Sequence, residues 1–210
     1  MKISYAITVC NEFVEIQKLV EFLLKNKRPL DEIVVLYDQK NGREEIAQWL
    51  IKLNKLPNFQ MWRGLDFDGN FASWKNKLSD YCKGDYIFQL DADEIPHVNL
   101  IRSLPDILKF NSKNEVFMVP RINTVDGITE EHIQKWKWRV DKRGWINFPD
   151  YQTRIWKKEG NIRWYGKVHE RLVNFNTYTT LPEDERYSLY HHKDIIRQER
   201  QNNFYNELQG

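Results

Sequence analysis

Short apolar runs alternate with amphipathic stripes along the first ninety residues of the chain. Ile3 to Val9, Ile33 to Tyr37 and Phe59 to Trp62 are brief apolar runs, which are typical of buried strands. Between these runs, apolar residues recur at spacings of three and four, as in amphipathic helices. The two stripes are Ile16, Leu19, Val20, Leu23 and Leu24, and Ile46, Trp49, Leu50 and Leu53. This alternation predicts an α/β fold with a mostly parallel, doubly wound sheet flanked by helices.

A third helix and a central strand continue the pattern. The helix has an apolar stripe that leaves Lys75, Asn76 and Lys77 outside it; the stripe is Phe71, Trp74, Leu78 and Tyr81. The strand lies in GDYIFQLDADEIP, from Gly84 to Pro96, where a short run rich in aromatic and β-branched residues meets a group of acidic ones. This stretch is the centre of the functional interpretation.

Three carboxylates, Asp91, Asp93 and Glu94, follow the central strand. Like charges at contact distance repel each other, so burying such a group requires a cation or hydrogen-bond donors. An Asp-x-Asp pair at a strand end suits a hard divalent ion that takes oxygen ligands and keeps positions open for substrate phosphate. A solvated acidic turn is the alternative, because this short motif often occurs by chance.

Polar residues also follow the other predicted strands. They are Thr8, Asn11 and Glu12 after the first strand and Asp38 after the second, and Asn11 is expected to cap the first helix. In doubly wound sheets, ligands bind beyond the carboxyl ends of the strands, so we expect these groups to converge with Asp91 and Asp93. The first strand is not followed by a Gly-x-Gly-x-x-Gly or a Walker lysine loop, which weakens dinucleotide and P-loop interpretations.

The pattern is less regular after Pro96. The sequence predicts a helix kinked near Pro105, a strand at Glu115 to Val119, and short strands at Thr153 to Trp156, Ile162 to Trp164 and Val168 to Val173. From 123 to 143 the chain is polar and basic and contains two tryptophans. It forms either a loop on the acceptor side or an amphipathic helix that covers the sheet.

Composition narrows the class of protein. In 210 residues, 32 Lys and Arg nearly balance 30 Asp and Glu, so the net charge of +2 predicts no nucleic-acid partner. The segment from Glu130 to Arg171 contains eleven basic and six acidic residues. This excess of positive charge suits an anionic substrate or a solvated surface. Cys10 and Cys82 form no disulfide or zinc pattern, and there is no apolar run of membrane-spanning length. We expect a cytoplasmic monomer with one domain, 1–210, divided into two halves, 1–96 and 97–210.

These motifs together resemble the metal-dependent glycosyltransferases of the GT-A fold, in particular family 2-like members. The resemblance rests on ITVCNE near the N-terminus, Lys75-Asn76 where relatives often have Arg-Asn, and GDYIFQLDADE. It continues with FPDYQTRIW, WYGKVHERL and LYHHKD and so covers nearly the whole chain. The combination is more specific than any one motif.

The resemblance implies a nucleotide-sugar site, with 1–96 as the nucleotide-binding half and 97–210 as the acceptor-side half. It implies that Thr8, Asn11, Glu12 and Asp38 surround the base and ribose and that Lys75 and Asn76 help to bind the donor. Asp91 would face the ribose or the metal, and Asp93 would be the principal ligand of Mn²⁺ or Mg²⁺. One departure weakens the contact with the base, because relatives often have Gly-Ser-x-Asp after Asp38, whereas this chain has Gln39 to Gly42.

The second half would supply the acceptor-side chemistry. Glu170 is the preferred general base, with a structural ion pair to Arg171 or Arg154 as the alternative, and Asp150 is a second catalytic candidate. If Val168 to Val173 is a strand, His169 and Glu170 point to opposite faces. On their own strand, Arg154 would hold a phosphate, and Trp156 would stack on a sugar or lie in the core.

A late histidine completes the metal site in many GT-A enzymes, and adjacent histidines cannot both do so. His191 is preferred to His192, with a surface histidine as the alternative. Lys193 and Arg197 would meet the diphosphate or coat the last helix.

The predicted function is transfer of a hexose or deoxyhexose from a UDP-sugar to a hydroxyl of a glycan or glycoprotein. The resemblance favours inversion by a general base, although a retaining, front-face route remains open. The rival functions are a sugar-nucleotide nucleotidyltransferase and a glycan-binding module without catalysis.

Overall fold

The computed structural model describes residues 1–200. The predicted alternation of strands and helices in the first half is confirmed. Its elements are β1 (Ile3–Val9), α1 (Phe13–Asn26), β2 (Glu32–Asp38), α2 (Glu44–Leu53), β3 (Phe59–Leu65), α3 (Phe71–Tyr81), β4 (Tyr86–Asp91) and the short β5 (Glu94–Pro96). The carboxylate cluster therefore occupies the end of β4 and the turn into β5.

The second half contains a helix, long strands and several short elements. They are α4 (Val98–Phe110), β6 (Val116–Asp126), α5 (Glu130–Trp136), β7 (Ile146–Lys157), β8 (Arg163–Tyr165), β9 (Arg171–Val173), β10 (Tyr178–Thr180), a 3-10 turn (Glu185–Tyr187) and β11 (Leu189–Asp194). Residues 195–200 are helical. The two long strands β6 and β7 connect the parallel strands of the first half to β11.

One twisted sheet carries most of the strands, in the order β3-β2-β1-β4-β7-β6-β11-β5, and β10 also pairs with β6. The pairs from β3 to β4 are parallel, as are those of β6 with β10 and β11. The pairs of β7 with β4 and β6, and of β11 with β5, are antiparallel. The sheet is therefore mostly parallel, and β4, β6 and β11 all end at the same edge.

Helices cover both faces of the sheet. The apolar stripes of α1, α2 and α4 pack on one face, where Ile16, Leu19 and Leu104 are fully buried. On the other face α3 packs together with the separate β8–β9 pair, and Trp74 and Trp156 are buried there. The sequence left open whether Trp156 stacks on a sugar or lies in the core, and the structure puts it in the core.

Two local predictions were wrong. The N-cap of α1 is Glu12 rather than Asn11, because the Glu12 carboxylate folds back to accept the backbone N–H groups of Cys10 and Asn11. The strand predicted from Val168 begins only at Arg171, so strand alternation does not separate His169 from Glu170; a turn with His169 at φ +54° precedes it.

The polar segment 123–143 fits neither of the predicted alternatives completely. Its first residues continue β6 as far as Asp126, and a short helix, α5, follows that buries none of its residues. An amphipathic helix covering the sheet was therefore a wrong alternative. The second half of β6 is hard to recognise as a strand in the sequence, because several of its residues are polar. These polar residues line the site described below.

Candidate functional site

Polar side chains converge at the carboxyl edge of the parallel strands. The register of β1 with β4 pairs Thr8 with Asp91, and Asp38 ends the neighbouring β2 on the other side of β1. Because residues of one strand alternate between faces, Thr8, Asp38 and Asp91 belong to the face that carries α3. The predicted convergence of these three strand ends is therefore present in the fold.

Asp38 organises the turn that follows β2. Its buried carboxylate accepts hydrogen bonds from Lys40 N at 3.1 Å, from Asn41 Nδ2 at 2.8 Å and from Phe67 N at 3.3 Å. The turn needs glycine at position 42, since a Cβ there would lie 2.3 Å from the Asp38 carbonyl oxygen. Asp38 thus shapes the edge of the site, and its contact with a ribose stays a prediction.

A buried ion network lies behind Asp91. One terminal nitrogen of Arg154 lies 2.6 Å from Asp91 Oδ2 and 2.6 Å from Glu94 Oε1, and Arg121 also reaches Glu94 at 3.0 Å. Arg154 is 4% exposed and Glu94 is fully buried. Burial is the largest single influence and opposes the charged form of Asp91, but the charges of Arg154, Lys75 and Arg121 together outweigh it and lower the pKa of that carboxyl. Asp91 therefore stays ionised beside its arginine.

Asp150 extends the network toward β11. Its Oδ2 accepts hydrogen bonds from Arg121 Nη2 at 2.7 Å and Asn123 Nδ2 at 2.8 Å, and its Oδ1 accepts one from Gln152 Nε2 at 2.8 Å. Burial alone would raise the pKa of Asp150, yet the charge of Arg121 and these hydrogen bonds lower it. The carboxylate that the sequence marked as catalytic is thus engaged by three side chains.

The Asp93 carboxylate is surrounded by three nitrogen-bearing side chains from β11 and from the helical residues that follow it. Its Oδ2 lies 3.4 Å from His191 Nε2, 4.0 Å from Lys193 Nζ and 3.2 Å from Arg197 Nη2. Burial opposes ionisation, but the contact with His191 and the charge of Lys193 outweigh it and lower the pKa of Asp93 to about 2. Burial in turn lowers the pKa of Lys193, although Asp93 acts in the opposite direction.

The two histidines of β11 have different surroundings. His191 is largely buried and contacts Asp93 and Asn123, whereas His192 is 59% exposed and contacts Thr124 and Asp126. Only His191 of the two therefore lies at the carboxylate cluster.

Lys75 and Glu170 meet on the α3 side of the site. Their Nζ and Oε1 atoms are 2.5 Å apart, and Lys75 Nζ also lies 4.6 Å from the centre of the Trp164 ring. Asn76 fixes α3 to β8 through two hydrogen bonds of 2.9 Å with the backbone of Trp164, because its Nδ2 donates to the carbonyl oxygen and its Oδ1 accepts from the N–H group. Glu170 does have a structural ion pair, but its partner is Lys75 rather than Arg154 or Arg171.

The donor chemistry at Asp93 fits a divalent cation in part. Asp93 and His191 offer an oxygen and a nitrogen close enough to share one ion, and both are atom types that Mn²⁺ accepts. Within residues 1–200, no three His, Cys, Asp or Glu side chains are grouped to hold an ion by themselves. A bound cation would therefore need further donors from substrate or water.

Three residues of this network were not among the predicted site residues. They are Glu94, which pairs with Arg154 and Arg121, and the β6 residues Arg121 and Asn123. Arg121 and Asn123 are two positions apart on β6, so they lie on the same face of the strand. This polar-apolar-polar pattern, Arg-Ile-Asn, was the available signal in the sequence. Their partners lie far away in the sequence, which explains why this signal was weak.

Asn11 and Glu12 lie at the turn between β1 and α1, with Asn11 exposed. One carboxylate oxygen of Glu12 closes this turn by accepting the backbone N–H groups of Cys10 and Asn11. Their predicted role in donor binding stays a prediction.

The mostly parallel sheet, covered on both faces by helices and with an acidic and cation-lined site at its carboxyl edge, matches the GT-A fold. The chain belongs to glycosyl transferase family 2, since the model of that family, described as "Glycosyl transferase family 2", matches residues 4–179. No curated protein matches the sequence.

Solved structures give the same fold. The crystal structure of S. aureus TarS 1-349 matches with a TM-score of 0.65 at 15% identity, over 91% of this chain and 60% of that chain. The complex of TarS 1-349 with UDP-GlcNAc matches with a TM-score of 0.64 at 16% identity, over 92% and 59%. The complex with UDP gives 0.63 at 16% identity, over 91% and 60%. The chain thus spans about 60% of the length of these TarS structures.

None of the helices within residues 1–200 combines the length and the apolarity that crossing a bilayer requires.

The sequence also bears a fainter resemblance to the N-terminal domain of a chlorella-virus capsid glycosyltransferase. The matches given above do not support that narrower assignment.

Proposed function

We propose that this protein is a glycosyltransferase that moves a hexose or deoxyhexose from a UDP-sugar to a hydroxyl group of a glycan or glycoprotein. The observation that carries the proposal is the group at Asp93, where His191, Lys193 and Arg197 surround one carboxylate at the carboxyl edge of the sheet. A nucleoside diphosphate is the ligand chemistry that such a mixture of cations and metal-ligand atoms would recognise.

The UDP-sugar donor is supported by the fold neighbours, because S. aureus TarS has been crystallised with UDP and with UDP-GlcNAc. By analogy, Thr8, Asn11, Glu12 and Asp38 would surround the base and ribose of the donor. Lys193 and Arg197 would face the diphosphate, and Lys75 and Asn76 would lie beside the sugar. Arg154 would act through Asp91, whose charge it balances.

The cation would be Mn²⁺ or Mg²⁺, held by Asp93 and His191, with Asp91 as the further carboxylate. When bound, it would offset the negative charge that develops on the diphosphate as the bond to the sugar breaks. The residues of the chain would position this diphosphate and exclude water from it.

Glu170 is the proposed general base. Lys75 Nζ lies 2.5 Å from Glu170 Oε1, and this ion pair would orient the carboxylate that accepts the proton. In the transfer, the acceptor hydroxyl oxygen attacks C1 of the sugar while the C1–O bond to the diphosphate breaks, and Glu170 takes the hydroxyl proton. Asp150, which is engaged by Arg121, Asn123 and Gln152, would contribute by positioning these side chains rather than by direct proton transfer.

The wider properties are proposals as well. We propose a single domain over 1–210, with 1–96 binding the nucleotide and 97–210 facing the acceptor, that acts as a cytoplasmic monomer. Residues 201–210 of this range lie outside the described residues.

Calorimetry with UDP tests the proposed function. We expect UDP to bind in the presence of Mn²⁺ and to bind at least ~10-fold more weakly with EDTA. Asp93→Asn should remove most of this metal-dependent gain, because a neutral amide is a weaker ligand than a carboxylate. The matched control is Asp80→Asn, since Asp80 forms an exposed ion pair with Arg163. Failure of UDP to bind under any of these conditions would refute the proposal.

A further inference from the structure

Two consecutive histidines on β11 end in different hydrogen-bond environments. Neighbouring strand residues point to opposite faces, so His191 turns toward Asn123 and Asp93, and His192 turns toward Thr124 and Asp126. A neutral imidazole carries one proton, and the partners of its two nitrogens decide which nitrogen holds it. The contacts of each ring can therefore be used to assign its tautomer.

The orientation of the Asn123 amide is the first step. Asn123 Nδ2 lies 2.8 Å from Asp150 Oδ2, and an ionised carboxylate can only accept hydrogen bonds. The amide nitrogen must therefore face Asp150, and the amide oxygen must face β11. Arg121, which donates to the same Asp150 oxygen at 2.7 Å, keeps this carboxylate in place.

The proton of His191 follows from this orientation. Asn123 Oδ1 lies 2.7 Å from His191 Nδ1, and a carbonyl oxygen has no proton to give, so Nδ1 must be the donor. This leaves Nε2, which lies 3.4 Å from Asp93 Oδ2, as the ring nitrogen that faces the carboxylate cluster.

His192 has the opposite arrangement. Its Nε2 lies 3.1 Å from Asp126 Oδ2, so Nε2 carries the proton, and its Nδ1 lies 2.9 Å from Thr124 Oγ1, which can donate. Both His192 and Asp126 are largely exposed. Its lone pair is therefore occupied by a hydroxyl group and is directed away from the carboxylate cluster.

We infer that Asn123, oriented by Asp150, is a positioning residue that fixes a ring proton of His191 on Nδ1 and turns Nε2 toward Asp93, while His192 adopts the Nε2–H tautomer. The tautomers themselves are independent of the proposed function. Only the consequence that His191 rather than His192 meets a cation rests on it. Partners of this kind typically change metal affinity 10- to 100-fold when they are removed.

Long-range ¹H–¹⁵N NMR of ¹⁵N-histidine-labelled protein tests the assignment, without metal or nucleotide at pH 8. His191→Gln and His192→Gln identify the two rings. We expect a protonated Nδ1 for His191 and a protonated Nε2 for His192. A His191 ring without a proton on Nδ1 would overturn the inference.

Variants at Asn123 test its positioning role. Asn123→Ala should shift His191 toward a mixture of tautomers and leave His192 unchanged, whereas Asn123→Asp retains an acceptor for Nδ1–H and should preserve the tautomer. Asn99→Ala, at an exposed position of α4, is the matched control. An unchanged His191 pattern in Asn123→Ala would show that Asn123 does not set the tautomer.

The consequence for the cation has its own measurement. Electron paramagnetic resonance of Mn²⁺ with UDP should give a dissociation constant 10- to 100-fold higher for Asn123→Ala than for the wild type. Equal constants would overturn the link between tautomer and cation. Failure of the wild type to bind Mn²⁺ would instead count against the proposed metal, because the NMR result does not depend on it.

Discussion

Replacement of Arg154 by methionine should destabilise the protein by about 3 kcal/mol. Arg154 is 4% exposed and is the direct cationic partner of both Asp91 and Glu94 through one terminal nitrogen. Breaking a buried ion pair costs about 3–5 kcal/mol, because a charge remains in a poorly solvated place. The lower end applies here, since Asp91 is 35% exposed and Glu94 keeps Arg121 at 3.0 Å.

The effect should depend on pH. Burial alone would raise the pKa of Asp91, but the charges of Arg154, Lys75 and Arg121 together outweigh it, with Arg154 contributing most of the three, so the pKa in the folded protein lies below the ordinary value of 3.8. A lowered carboxyl pKa contributes stability that is complete above the ordinary value and is lost as the pH falls through the lowered one. The difference between wild type and variant should therefore be largest at pH 7 and decrease below about pH 4.

Denaturant unfolding followed by circular dichroism measures this change, and the melting temperature should fall by about 6–12 °C. The matched control is Arg163→Met, whose ion pair with Asp80 is about half exposed and should contribute less than about 1 kcal/mol. The double variant Arg154→Met/Glu94→Gln should recover at least ~1 kcal/mol relative to the sum of the single variants. A loss below about 1 kcal/mol for Arg154→Met, or an equal loss for the control, would refute the reasoning.

Three further measurements address the site and the core. Glu170→Gln should slow sugar transfer by about 10²-fold or more while UDP affinity changes less than ~3-fold, and an equal loss in both would contradict its role as a base. Trp156→Ala should cost about 3–5 kcal/mol in chemical unfolding, because Trp156 is 2% exposed, and the half-exposed Trp62 serves as control. Burial and the charge of Asp38 raise the pKa of Cys10 to about 12. Alkylation by iodoacetamide at pH 8, followed by mass spectrometry, should therefore be over ~100-fold slower than for a free thiol, and ordinary labelling would contradict this.

Local periodicity was sufficient to predict the elements of the first half, residues 1–96. The apolar stripe at Ile16, Leu19 and Leu23 is buried as one face of α1, and the run from Tyr86 is a buried strand. These features could be predicted because a helix or strand that packs on one layer repeats its apolar residues at the period of its own backbone.

The same reasoning failed where strands line the site. β6 has eleven residues, but the prediction ended at Val119, because Arg121 and Asn123 interrupt the apolar pattern. The strand predicted at Val168 begins three residues later, since the turn holding Glu170 depends on packing against Lys75 of α3. Polar residues that face a site look like loop residues in a sequence.

The sequence alone determined that strands and helices alternate, that acidic residues follow the central strand, and that histidines come late in the chain. Only the tertiary structure decided which charges meet. Arg154 reaches Asp91 across 63 residues, Glu170 reaches Lys75 across 95, and Arg197 reaches Asp93 across 104. Periodicity records the direction of a side chain relative to its own backbone, whereas an ion pair depends on how distant segments cross, and no local pattern encodes that crossing.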